Sequence, residues 1–250
     1  MKILTLDVET CPHLSYHFGR WQQNIPPENT VSESRVICWA AKWHGKKGVM
    51  FGAEWKSGEF MDDLWHLLDE ADVVVGFNQK KFDIRRINTE FLRAGTQPPS
   101  PYEQVDLLQQ VKKHFGFSSN RLKHLLKELG LSQKLEENVG MKLWVDVAQG
   151  DPRAQSHMEK YNKQDVKSTE EFYDFLLGWI SGHPNHGLYV EDVDNDTPVC
   201  PNCGSTDLHK HKVRRTKVRK YQQYQCQDCG SYSRGRKSLT TVAETGHVLA

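Results

Sequence analysis

The sequence predicts a mixed α/β fold with a small metal-stabilised module near the C-terminal end. Three observations lead to this prediction: an apolar first strand followed by a meander, a later alternation of short strands with amphipathic helices, and two Cys-x-x-Cys pairs after residue 199. Hairpin and strand–helix connections in one chain indicate a sheet of mixed direction that is flanked by helices.

Individual elements follow from local patterns. Runs rich in β-branched and aromatic residues predict strands at 3–9, 35–41, 48–51, 72–77 and 102–107. Apolar residues at helical spacing predict helices at 60–68, 81–94, 107–115, 120–129 and 153–180. Gly182 and Pro184 end the last helix. The segment 10–34, rich in Pro, Asn and aromatic residues, is a long excursion of the kind that usually has a function.

Length and composition limit the class of protein. A chain of 250 residues can bury a core of ordinary size in one medium domain beside a small one. No apolar run approaches the length that crosses a bilayer, and the apolar start after Lys2 meets Asp7 too soon for a signal peptide. We therefore expect a cytoplasmic protein, in which paired cysteines bind metal and do not form disulfides.

Charge is distributed unevenly along the chain. Residues 197–250 contain ten Lys or Arg against three Asp or Glu, whereas the first 196 residues contain 23 against 29. This asymmetry indicates a basic nucleic-acid-binding appendage on an acidic body. We predict a main domain over 1–184, an acidic linker over 185–198, a cysteine module over 199–232 and a disordered tail over 233–250.

Two carboxylates lie within the predicted first strand. Asp7 and Glu9 point to the same side of the strand, and Leu4, Leu6 and Val8 point to the other. Burying two like charges together is costly unless a cation neutralises them, and a divalent ion with oxygen ligands would do so. The alternative is an edge strand with a solvated acidic face.

Further acids occur at positions where apolar residues are expected. Asp83 begins the apolar stripe of a predicted helix, although an acid in a first helical turn is also favoured by the helix dipole. Asp165 shares a helical face with Met158 and Phe172, and an acid on such a stripe is rare unless it is paired or metal-bound. Tyr161, which would otherwise be a core aromatic residue, lies one turn before Asp165. Together the four acids predict a two-metal site.

These residues resemble the three motifs of the DEDD superfamily of 3′–5′ exonucleases. The resemblance rests on Asp7-Val8-Glu9, on Asn78 with Phe82-Asp83, and on Tyr161 four residues before Asp165, the spacing of the tyrosine subclass. It covers residues 1–181 and is greatest with stand-alone exonucleases of phages and bacteria. It implies a ribonuclease-H-like fold related to polymerase proofreading domains.

The resemblance also implies roles for the residues. Two Mg²⁺ or Mn²⁺ ions would be held by Asp7, Glu9, Asp83 and Asp165, with Asp7 bridging both ions and Asp83 serving the second. Tyr161 would orient the attacking water, because an ordinary phenol has a pKa of about 10 and is a poor base at neutral pH. The product would be a nucleoside 5′-monophosphate.

Nucleic-acid contacts are predicted near the second motif. Lys81 is a candidate phosphate ligand, and Phe77 and Asn78 are candidate contacts to the terminal nucleotide. Ordinary core packing for Phe77 and a solvated helix face for Lys81 are the alternatives.

The four C-terminal cysteines form two Cys-x-x-Cys-Gly knuckles. Cys200, Cys203, Cys226 and Cys229 fit a closed tetrahedral site for one structural Zn²⁺, and the module looks like a zinc ribbon. Basic residues at the tip of its hairpin are candidate nucleic-acid contacts: Arg214, Arg215, Lys217, Arg219 and Lys220. A ribbon that docks protein and has a solvated tip is the alternative.

The sequence therefore predicts a metal-dependent 3′–5′ exonuclease with a zinc ribbon that helps to hold nucleic acid. We expect DNA in preference to RNA as the substrate, and a replication or repair polymerase as a partner. Two alternatives stay open. One is an endonuclease of the ribonuclease-H or resolvase kind, and the other is a non-catalytic protein that binds nucleic acid or tethers a polymerase.

Overall fold

A computed structural model describes residues 1–19, 21, 24–132, 140–190 and 197–240. The chain divides into two compact units, Lys2–Phe172 and Tyr173–Ala250. In the described part of the chain, no helix has both the length and the apolar character needed to span a membrane.

The larger unit is built on a five-stranded mixed sheet, which confirms the predicted fold class. Its strands are β1 (Ile3–Thr10), β4 (Val36–Trp43), β5 (Met50–Ala53), β6 (Val73–Gly76) and β7 (Glu103–Asp106). A small hairpin of β2 (Leu14–Ser15) and β3 (Thr30–Ser32) lies in the excursion after β1. The order of strands across the main sheet is β5-β4-β1-β6-β7. The β1/β4 and β4/β5 pairs are antiparallel, and the β1/β6 and β6/β7 pairs are parallel.

In the described residues, six α-helices accompany the sheet: α1 (Phe60–Glu70), α2 (Asp83–Ala94), α3 (Leu107–His114), α4 (Leu122–Glu128), α5 (Lys142–Ala148) and α6 (Pro152–Leu176). Five of these were predicted. The exception, α5, is only seven residues long and therefore too short to show a clear helical period.

The sheet separates two apolar clusters. On one side, Leu4, Leu6 and Val8 of β1 pack with residues of α1 and α2. The second cluster contains Cys38 of β4, residues of α5, and Met158 of α6, with Tyr161 packed against it. Alternation along β1 thus points its apolar residues into the first cluster, while Asp7 and Glu9 lie on the opposite side of the strand.

Asp106 organises the loop that leads to α2. It caps α3, where its carboxylate accepts hydrogen bonds from the backbone N–H groups of Leu108 and Gln109. The same carboxylate accepts the N–H of Asn78 at 3.1 Å and that of Lys80 at 3.3 Å. Asn78 has a left-handed φ of 68°, a conformation that Asn tolerates better than most residues. One buried acid therefore fixes the turn between β6 and α2.

The smaller unit contains a three-stranded sheet of order β10-β9-β8. Its strands are β8 (Leu208–Arg215), β9 (Lys220–Cys226) and β10 (Tyr232–Ser238). We expected disorder after Tyr232, and β10 corrects this: a polar segment with little to bury still forms an edge strand by pairing with β9. Within the predicted linker, His186–Leu188 forms a 3₁₀ turn, and residues 191–196 lie outside the described residues, as do residues 241–250 of the predicted tail.

Substituting Asp106 by Ala should destabilise the larger unit by about 2–4 kcal/mol, because four backbone N–H groups lose a charged acceptor. Thermal unfolding followed by circular dichroism measures the change. Glu103→Ala, on the exposed end of the same strand, is the matched control and should alter stability by less than about 0.5 kcal/mol. Equal melting temperatures for the two variants would contradict the role given to Asp106.

Candidate active site and cysteine site

Three predicted carboxylates meet where β1 passes α6. Ligand oxygens of Asp7, Glu9 and Asp165 all lie within 4.8 Å of one another. Asp7 and Glu9 are half-buried, and Asp165 is 4% exposed. Three like charges this close, partly removed from water, repel strongly unless a cation is present. Carboxylate oxygens suit a hard divalent ion, so this group could hold a metal.

Neutral side chains orient two of these carboxylates. The side-chain amide of Asn162, which is fully buried, donates to Asp7 Oδ2 at 2.7 Å. The indole N–H of Trp144 donates to Glu9 Oε2 at 2.8 Å. Because both donors are uncharged, they fix the carboxylates in place without neutralising them.

Tyr161 completes the group. Burial raises the pKa of Tyr161 well above its ordinary value, and the nearby charges of Asp165, Glu9 and Asp7 raise it further, as does a hydrogen bond to Asp165. The phenol is therefore protonated and donates to the Asp165 carboxylate. Its ring also meets that of Trp144 edge-on, with centroids 5.8 Å apart.

Asp83 is not among the carboxylates whose ligand oxygens all lie within 4.8 Å of one another, but it contacts β1 between Asp7 and Glu9. It is 4% exposed, and its Oδ1 accepts the backbone N–H of Val8 at 3.0 Å. Only Ile3–Thr5 of β1 pair with β6, so β1 continues beyond its parallel neighbour. Asp83 thus satisfies a strand N–H that this neighbour does not reach.

The predicted nucleic-acid contacts near Asp83 differ in exposure. Phe77 is half-buried, and its ring packs near Phe172 with centroids 6.3 Å apart. Asn78 is half-buried in the turn described above, and Lys81 is exposed. Their contacts with nucleic acid stay a prediction.

An open groove of about 320 Å³ begins at Thr10, the last residue of β1. Its lining also includes Trp144, whose indole N–H is hydrogen-bonded to Glu9, together with Met141 and Arg86. The groove therefore offers an aromatic ring and a cationic side chain.

The four cysteines come together in the smaller unit. All four sulfurs lie within 4.8 Å of one another, with separations of 3.6 Å for Cys200–Cys229 and for Cys203–Cys226. Four thiolates at a metal–sulfur distance of about 2.3 Å in a tetrahedron would be roughly 3.8 Å apart. The group could therefore hold a metal with no open coordination position.

The two knuckles repeat one backbone pattern. Gly204 N donates to the Cys200 carbonyl at 2.9 Å, and Gly230 N donates to the Cys226 carbonyl at 3.1 Å. Both glycines have positive φ, which a side chain would strain. Burial raises the pKa of Cys200, but a hydrogen bond from Ser231 and backbone N–H bonds outweigh it, so the pKa lies below its ordinary value. The pattern favours thiolate at this position.

The first knuckle also hydrogen-bonds backbone carbonyls that follow α6. The side-chain amide of Asn202 donates to the carbonyls of Leu177 and Ile180 at 2.7 and 3.2 Å. A Cβ at Gly178 would lie 2.3 Å from the Cys229 carbonyl oxygen, so only glycine fits there. The predicted contact residues of the hairpin tip are all exposed: Arg214, Arg215, Lys217, Arg219 and Lys220.

Trp144 and Asn162 were missed by the sequence analysis. Asn162 follows Tyr161 directly, so its place inside the third motif was an available signal. Trp144 lies on the unpredicted helix α5, and no local pattern could link it to Glu9, 135 residues away.

Comparisons with known proteins agree with this architecture. A family model of the RNase_H superfamily (RNase_H_2) matches residues 40–177. The chain is also similar to the structure of the family B DNA polymerase from the hyperthermophilic archaeon Pyrobaculum calidifontis, with a TM-score of 0.51 and 17% identity. This similarity covers 71% of the chain but only 24% of the polymerase. No curated protein matches the sequence.

Substituting Trp144 by Phe should weaken the binding of Mn²⁺ about tenfold, because Phe keeps the ring but removes the donor that orients Glu9. Isothermal titration of the purified protein with Mn²⁺ measures the affinity. Trp55→Phe is the matched control, since Trp55 packs against the same apolar cluster. Wild-type affinity in Trp144→Phe would show that the indole N–H does not support the site.

Proposed function

The chain belongs to the RNase H superfamily, and from this premise we propose that it is a metal-dependent nuclease that removes nucleotides from the 3′ end of DNA. The family match covers residues 40–177, which is more than half of the chain. A nuclease fold of this kind implies a nucleic acid as the binding partner.

The observation that carries the proposal is the convergence of Asp7, Glu9 and Asp165 within 4.8 Å. In the sequence of the larger unit, Asp7 and Glu9 lie near the start and Asp165 lies near the end. This is the order in which the corresponding 3′–5′ exonuclease motifs occur. The hydrogen bond from Tyr161 to Asp165 adds the residue that distinguishes the tyrosine subclass from the other motif sets.

The donor set fits two Mg²⁺ or Mn²⁺ ions. Asp7, Glu9 and Asp165 would hold them, with Asp83 as an additional ligand. When bound, two such ions stabilise the attacking and leaving oxygens of a phosphodiester displacement. The oxygen-only donor set is what these hard ions prefer.

The protein side chains orient the reactants. Tyr161, held in its protonated form, would position the attacking water through the same hydroxyl that contacts Asp165. Water attacks the phosphorus of the 3′-terminal nucleotide and releases a proton to solvent, while the bond from this phosphorus to the 3′ oxygen of the preceding nucleotide breaks. A nucleoside 5′-monophosphate leaves, and the 3′ oxygen of the shortened strand takes a proton from solvent.

The smaller unit would hold the substrate. Four thiolates at these separations suit one structural Zn²⁺, and we propose that this zinc stabilises the ribbon. The exposed basic residues of its hairpin would contact phosphates. The likeness to part of a DNA polymerase concerns the fold, and we propose DNA as the substrate and a polymerase as a partner.

The decisive experiment follows the cleavage of end-labelled linear and circular single-stranded DNA, and of an RNA–DNA hybrid, in Mg²⁺ or Mn²⁺. Wild-type protein should shorten 5′-labelled linear DNA one nucleotide at a time and leave the circle intact. Asp165→Asn should lower the rate about 100-fold or more, because the metal site contributes several kcal/mol to the transition state. Asp174→Asn, at an exposed position of the same helix, is the matched control and should keep the wild-type rate.

Other outcomes would identify the alternatives. Internal fragments from the circle or the hybrid would indicate an endonuclease. Binding without any cleavage in either metal would indicate a non-catalytic protein. Full activity of Asp165→Asn would remove this carboxylate from the mechanism.

Tyr161→Phe should lower kcat by about tenfold at every pH between 6 and 9. The raised pKa keeps the phenol protonated over this range, so its loss removes a positioning group whose charge does not change. Parallel pH–rate profiles for wild type and variant would confirm this. A wild-type advantage that grows with rising pH would mean instead that the ionised phenol acts as a base.

A further inference from the structure

One face of the ribbon sheet combines aromatic, amide and guanidinium side chains. Alternation along β9 places Tyr221, Gln223 and Gln225 on the same side. Residues paired across antiparallel strands share a face. The tyrosine face is therefore defined by these three residues of β9 and their partners: His209 and Arg214 of β8, and Tyr232, Arg234 and Ser238 of β10.

Ring contacts agree with this assignment. The Arg234 guanidinium lies over the Tyr221 ring, 4.2 Å from its centroid. The Tyr232 ring meets that of His211 at 5.3 Å, edge to face. Tyr232 is 52% exposed, and Arg214 and Arg234 are exposed as well. These planar groups are thus presented to solvent.

The opposite face has another character. It carries Cys226 with its partner Leu208, and Gln222 with its partner Val213. Tyr224 lies on this side too, where its ring edge approaches the backbone of Gly235. Leu208 and Val213 of β8 and the candidate metal ligand Cys226 of β9 therefore lie on one side of the sheet, opposite the tyrosine face.

Charge selects an anionic partner. The tyrosine face includes Arg214 and Arg234, and the Asp207 carboxylate, 3.8 Å from His209 Nε2, borders it at one end. The opposite face carries Lys210, Arg215 and Lys220, so both sides of the sheet are basic and the aromatic groups distinguish the tyrosine face. A polyanion that also exposes flat rings matches both the charge and the aromatic surface.

We propose that the tyrosine face binds single-stranded nucleic acid by stacking unpaired bases on Tyr232 and on the Arg234–Tyr221 pair. Gln223 and Gln225 lie between these two positions and offer hydrogen bonds to base edges. A duplex keeps its bases stacked inside and offers this face only phosphates, so the single strand is preferred. This inference rests on the proposed function, since it names the strand that the ribbon would hold.

Fluorescence anisotropy with labelled 20-nucleotide single-stranded DNA and the matching duplex tests the inference. The 250-residue chain, loaded with zinc, is used without Mg²⁺ or Mn²⁺, so that binding is measured in the absence of cleavage. The double variant Tyr232→Leu, Arg234→Gln should bind the single strand at least tenfold more weakly. Arg215→Gln is the control, because it removes one charge from the opposite face. It should weaken binding by no more than about threefold, and equally for both DNAs.

Zinc content and melting temperature, measured for every variant, identify any loss of folding. The single variant Tyr232→Leu, at a half-exposed position, gives an independent result: its affinity for the single strand should fall while its affinity for the duplex stays within twofold. Unchanged single-strand affinity in Tyr232→Leu, or an equal loss in Arg215→Gln and the double variant, would overturn the inference. The inference would also be overturned if the 250-residue chain did not bind single-stranded DNA.

The inference and the proposed nuclease fail in different ways. Face-dependent binding without cleavage in Mg²⁺ or Mn²⁺ would leave the tyrosine face established and the nuclease refuted. Stepwise cleavage, together with binding that does not change in the tyrosine-face variants, would support the nuclease and refute the role of the tyrosine face.

Discussion

Mutual repulsion among Asp7, Glu9 and Asp165 is the constraint on which the rest of the larger unit depends. Their oxygens share a space less than 5 Å across, and the hydrogen bonds that hold them come from Asn162, Trp144 and Tyr161. All three donors are neutral, so they fix direction and leave the negative charge in place. Carboxylates grouped this closely suit a hard divalent cation, which would reduce their mutual repulsion.

The position of Asp83 illustrates how a strand edge can define a site. β1 extends beyond the end of β6, so β6 does not reach the N–H of Val8. The first residue of α2 supplies the acceptor, and Asp106 fixes the turn before that helix. An acid that the sequence analysis assigned to a metal ion thus has a structural partner as well. The two roles are compatible, because a carboxylate has two oxygens.

Much of this site was predictable because it depends on two short-range periods. A period of two along β1 placed Asp7 and Glu9 together, and a period of 3.6 along α6 placed Tyr161 and Asp165 on the buried face. Hydrogen-bond partners that lie far apart in the sequence do not follow from such periods. Trp144 reaches Glu9 from a helix of seven residues, and the spatial neighbours of such a segment are set by packing.

In the ribbon, too, a local sequence motif was predictable and a pairing between strands was not. Its knuckles were predictable, since Cys-x-x-Cys-Gly encodes the turn, the thiolate pair and the positive φ in five residues. β10 was not, because its alternating Arg, Ser and Gly residues bury almost nothing. The strand forms through hydrogen bonds to β9, which pairing across a sheet provides and composition does not reveal.

The two donor sets differ in the ions that they select. Three carboxylates leave coordination positions open to water and substrate, and a hard ion such as Mg²⁺ usually keeps several waters in such a site. Four thiolates leave no position open and favour a softer ion such as Zn²⁺. Under the proposed function, the cysteine site would therefore hold a structural ion, and the carboxylate site would hold ions that also contact water and substrate. Their separation in the chain would allow the two kinds of ion to serve structure and chemistry independently.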